Sequence, residues 1–83
     1  MTEWEERKFQ EVYDTVYTTT RYRIVTDPNF TIKDLERILQ TLYTNDGNDQ
    51  GGRGRVADII SSATIAAHQQ VLLEWKRELE KEL

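Results

Sequence analysis

Phe30-Thr31-Ile32-Lys33-Asp34-Leu35-Glu36-Arg37-Ile38-Leu39-Gln40-Thr41-Leu42-Tyr43 is the stretch on which the fold turns. Leu35, Ile38, Leu39 and Leu42 recur at i, i+3, i+4 and i+7, the spacing of one helix face. The start of that helix is also marked. Thr31 stands where an N-cap hydroxyl accepts an orphan backbone amide, and Asp34, three residues on, can reach back to the cap. Phe30 before the cap and Leu35 beyond it are placed to form a hydrophobic staple. The spacing predicts an amphipathic helix over about 31–44, whose apolar stripe another element must cover.

Upstream, Thr26-Asp27-Pro28-Asn29 is a break, because Pro28 disfavours a helical conformation at Asp27. Further back, Thr2 and Glu5 form a second capping-box pattern, and Glu3, Glu5 and Glu6 suit the positive end of a helix dipole. Phe9, Val12, Tyr13, Val16, Tyr17 and Ile24 fall near one face, and Thr20 continues it. Val12 to Val25 is rich in Thr, Val, Tyr and Ile, which favour strands. Strand alternation fails, however, since Asp14 would share a face with Val12 and Val16. We expect a helix over about 2–25, with fraying or a break after Tyr17 as its weak point.

Downstream, Asn45-Asp46-Gly47-Asn48-Asp49-Gln50-Gly51-Gly52-Arg53-Gly54 holds all 4 glycines of the chain and is expected to be a loop over 45–54. A third helix is expected over about 55–82. Val56, Ile60, Ala63, Ala67, Val71, Trp75 and Leu79 make its stripe, widened by Ile59, Ala66 and Leu72. Ala63, Ala66 and Ala67 would let a neighbouring helix approach closely. The charged tail is mixed: Lys76 meets Glu80 favourably, whereas Glu74–Glu78 and Arg77–Lys81 are like-charged, so it reads as a solvated helix face. The third helix would reach about 40 Å and the second roughly half that. The fold class is therefore all-α: one domain over 1–83, a small three-helix up-down-up bundle with a long C-terminal helix. Trp4 and Trp75 would clamp the ends together if the first and third helices packed antiparallel.

Composition narrows the function. The chain has 83 residues, 31% of them charged, with 15 acidic and 11 basic side chains and a net charge of −4. That balance gives no general pull toward nucleic acid or an anionic membrane. Eight aromatic residues (2 Trp, 4 Tyr and 2 Phe) argue for a folded chain. A domain this small has little room for a deep enclosed cavity, which weighs against a metabolic enzyme acting as a monomer. The absence of cysteine excludes disulfides, thiolate metal sites and a cysteine nucleophile, and favours a cytoplasmic setting. The acidic start Met1-Thr2-Glu3-Trp4-Glu5-Glu6 does not read as a signal peptide. Ile59 to Leu73 is too short and polar to span a membrane.

The candidate site is Gly51, Gly52, Arg53, Gly54 and Arg55. A P-loop is rejected, because Arg53 and Gly54 stand where Lys and Ser or Thr are needed and a helix precedes. What survives is anion or partner contact: the glycines permit close backbone approach, and Arg53 and Arg55 sit at a helix N-terminus. The bland alternative is a soluble linker. Asp46, Asn48, Gln50 and Gly51 follow the first half of a calcium loop, but Ala57 occupies the place of the bidentate Glu and Asp58 comes one residue late.

His68 has no second His or Cys for zinc, and is read as a histidine at the edge of a helix interface. An enzyme with an active site between subunits would need Asp46, Asp49 or Asp58 to converge with it. Tyr13, Tyr17, Tyr22 and Tyr43 beside Arg21 and Arg23 could stack on single-stranded nucleic acid. Glu11, Asp14 and Asp27 dilute that patch, and Tyr13 with Tyr17 reads better as core with wet hydroxyls. The expectation is a non-catalytic helical interaction or accessory module acting through helix–helix contacts, as an oligomer or with a protein partner. The alternative is nucleic-acid or phosphate-ligand binding through 51–55. No cofactor, metal or membrane is expected.

Overall fold

A computed structural model describes the backbone of residues 2–48 and 55–82 and the side chains of 2–44 and 56–81. It has three helices: α1 (Glu3–Thr26), α2 (Ile32–Asn48) and α3 (Arg55–Glu82). No strand occurs among the described residues.

Both sequence-marked caps form. Thr2 accepts from the Glu5 amide at 3.2 Å, and the Glu5 carboxylate accepts from the Thr2 amide at 2.8 Å. Thr31 accepts from the Asp34 amide at 3.3 Å, and Asp34 accepts from the Thr31 amide at 2.9 Å. Between the helices, the Asp27 carboxylate accepts from the Asn29 amide at 3.0 Å, and the Asp27 carbonyl accepts from the Phe30 amide at 3.1 Å. This tight turn reverses the chain.

The first helix is as expected: α1 runs unbroken past Tyr17 to Thr26. Poor helix formers cost a few tenths of a kcal/mol each, and here burial outweighs that: Thr20 is buried, and Tyr17 and Ile24 pack on the core. One expectation about helix extent is corrected: α2 does not stop near 44 but continues to Asn48. Propagating an existing helix is far easier than nucleating one, so Asn45, Asp46 and Gly47 are carried along. Most side chains of the calcium-loop pattern that starts at Asp46 lie outside the described residues.

Cross-helix bonds set the directions. Tyr17 bonds Glu74 and Arg21 bonds Glu78, both pairs 57 residues apart, so α1 and α3 run parallel. Tyr43 meets Gln69 at 2.7 Å and Glu36 meets Lys76 at 3.1 Å, so α2 runs antiparallel to α3. The path is up-down-up. The Trp4–Trp75 clamp is overturned, because parallel helices keep those residues apart. Trp4 is exposed, while Trp75 stacks on Phe30 with ring centroids 5.8 Å apart.

α3 is the central element. Ile59, Ala63, Ala67 and Val71 are its buried stripe, and Leu35 and Leu39 of α2 are buried too. Phe30, Leu35 and Val71 form one cluster, with Ile24, Ile38, Leu72 and Trp75 packed against it. Helix α3 packs against both partners, but α1 and α2 do not approach each other backbone to backbone. Phe30, buried in the turn, stands between them as a wedge. The result is a groove between α1 and α2.

Candidate functional site

The groove has two stretches, which share Arg23, Phe30 and Ile38. The narrower stretch encloses about 290 Å³. Val16, Phe30 and Ile38 give it an apolar surface, and Thr15, Thr19, Thr20, Arg23 and His68 give it polar groups. The wider stretch encloses about 570 Å³ and adds Asp27, Asp34, Arg37, Thr41 and Leu42. Small-molecule sites usually span about 300–1,000 Å³. A domain of this size was expected to lack a deep cavity, and the space is indeed an open groove between helices rather than a hole in the core.

α1 supplies the polar wall through a helical repeat. Thr15 and Thr19 are one turn apart, Thr20 is their neighbour, and Arg23 is one turn beyond Thr19. Thr26, Thr41, Thr44 and Thr64 each donate their hydroxyl to the carbonyl four residues earlier. Thr15, Thr19 and Thr20 make no such bond to any described residue. Thr20 does this while only 8% exposed.

Arg23 lies over the Phe30 ring, 4.2 Å from its centroid. Its Nε is 3.8 Å from an Asp27 carboxylate oxygen, a loose pair that leaves guanidinium donors open. Across the groove Arg37 is 3.9 Å from Asp34. The Thr31 amide and then its hydroxyl hold the Asp34 carboxyl below its ordinary value. From α3, His68 Nδ1 lies 2.8 Å from the Thr64 carbonyl. A carbonyl only accepts, so Nδ1 donates in this contact.

The sequence pointed elsewhere. Gly51, Gly52, Arg53 and Gly54 lie outside the described residues, and so does the side chain of Arg55, whose backbone begins α3. Asp49 and the side chain of Asp46 also lie outside them. Asp58 is ten residues before His68 on the same helix, about 15 Å away, so the two do not meet within one chain. Among the described residues no group of three His, Cys, Asp or Glu side chains could hold a metal ion, and no helix is long and apolar enough to cross a membrane.

The tyrosine–arginine patch is dispersed. Phe9, Tyr13 and Tyr17 stack in a ladder, Arg21 is committed to Glu78, and Arg23 to Phe30. Tyr22 stands exposed. The groove threonines were missed as a site. Their signal was a cluster of three poor helix formers at i, i+4 and i+5 on a helix that did not break.

Compared with protein-family models, with curated proteins and with solved structures, the chain has no match.

Proposed function

We propose that this chain is a small non-catalytic interaction module, cytoplasmic in setting, that works through helix–helix contacts made by the first turns of α3. One observation carries the reading. Val56 and Ile60 are 43% and 40% exposed, although they lie on the same helix face as the fully buried Ala63 and Ala67. The 57-residue offset between paired positions brings Glu3, the first residue of α1, level with Ile60. The core stripe of α3 therefore continues past the start of α1, where α1 gives it no cover.

The occupant we assign is a second copy of the chain. Each copy carries the same overhang, so a two-fold axis through it joins apolar surface to apolar surface without a further partner. Gel filtration with light scattering tests this. A mass of about twice 9.8 kDa is expected at high concentration, and Val56→Glu with Ile60→Glu should restore the single-chain mass without loss of helicity. A single-chain mass at every attainable concentration would remove the reading.

A further inference from the structure

We propose that the narrow stretch of the α1–α2 groove binds a compact carboxylic acid with a branched or aromatic hydrocarbon body. The observation that points to a ligand is Thr20: a side chain more than nine-tenths buried, lining the cavity, with a hydroxyl that bonds no described residue. The Thr20 hydroxyl oxygen opens to the groove rather than being sealed in the core, and the back-bonding threonines show the local alternative it does not take. Thr15 and Thr19, both exposed, line the same stretch one turn apart.

Charge selects the ligand. Among the described residues, Arg23 is the one formally charged residue lining this stretch, and no carboxylate lines it. Asp27, Asp34 and Arg37 belong to the wider stretch, where two acids offset the added cation. An anion is therefore drawn to the narrow end. Arginine presents a planar fork of donors that matches a carboxylate, and hydroxyls complete the shell. A phosphate would want more than one cation or a set of free backbone amides, and the amides here lie within the helical interior of α1. Val16, Phe30 and Ile38 then receive the hydrocarbon body. A docked helix is disfavoured, since its apolar stripe would cover three hydroxyls and satisfy none.

The test is a titration of the full chain with sodium benzoate and with sodium 4-methylpentanoate, against benzamide and benzylamine as neutral and cationic counterparts. Backbone amide shifts at Thr15, Thr19, Thr20 and Phe30 are followed by NMR. Trp75 emission gives a second readout, because its ring stacks on Phe30. At least one acid is expected to saturate these signals with Kd below about 1 mM, with the amide and amine about tenfold weaker or worse. Arg23→Gln should lose about tenfold in acid affinity. Thr20→Val keeps the shape and removes the hydroxyl, so it should weaken binding several-fold while the domain stays folded by circular dichroism. Saturation by neither acid, equal binding of benzoate and benzamide, or parental affinity in both variants would each overturn the assignment.

Discussion

Tyr17 donates its phenolic O–H to the Glu74 carboxylate at 2.5 Å, joining α1 to α3, and so ties the register of the two long helices to the ionisation of both side chains. The Gln70 amide, and after it the Tyr17 hydroxyl, holds the Glu74 carboxyl below its ordinary 4.5. The bond to Glu74 in turn pushes the Tyr17 phenol above its ordinary 10.0.

Tyr17→Phe removes this bond and leaves the ring in its stack. A net loss of about 1 kcal/mol is expected from urea unfolding at neutral pH. The sign of the pH dependence follows from the two shifts. A raised tyrosine contributes fully below its unfolded value and loses that contribution as pH rises through the folded one. A lowered glutamate contributes fully above its unfolded value and loses that contribution as pH falls through the folded one. The stability gap between parent and variant should therefore be flat across neutral pH and shrink at both the acid and the alkaline ends.

Thr31→Ala dismantles the capping box that starts α2. A loss of about 1 kcal/mol is expected, within the usual range of roughly 0.5–2 for such caps. The Asp34 carboxyl should move up toward its ordinary 3.8, but not reach it, because the Thr31 backbone amide remains as a donor. Carboxyl-carbon NMR across the acid range reads this directly.

Leu35→Ala and Leu73→Ala separate core from surface. Leu35 is fully buried in the cluster with Phe30 and Val71, whereas Leu73 is 45% exposed. The first should cost about 2–5 kcal/mol and the second no more than about 0.5 kcal/mol. Chemical denaturation of the pair under identical conditions gives the comparison.

Ala67→Leu tests whether small residues set the spacing of the packed helices. Ala67 has no exposed surface, so three added heavy atoms must push a helix aside. A loss of about 1–3 kcal/mol is expected, seen as a lower Tm. A melting curve like that of the parent would mean that α3 has slack at this position.

Much of the fold was legible because it is local. The caps at Thr2 and Thr31 are bonds between a residue and its third successor, so their chemistry is written in adjacent letters. Leu35, Leu39, Ala63, Ala67 and Val71 are buried as their spacing predicts. The extent of α2 was less legible, since Asn45, Asp46 and Gly47 read as loop in isolation and were held by a helix already formed. The overhang of α3 was legible only as a mismatch in length between helices.

The sequence by itself determined an all-α chain of three amphipathic segments, two of them with marked caps, because helix periodicity and capping depend on neighbours along the chain. Tertiary structure alone decided which faces meet. It placed Arg21 against Glu78, left Trp4 in solvent, and set Phe30 between α1 and α2. That wedge placed Thr20, read as a continuation of a helix face, with Thr15 and Thr19 on the wall of a groove. The physical reason is that a groove belongs to no single element. It exists only because α3 packs against both neighbours while they stand apart from each other.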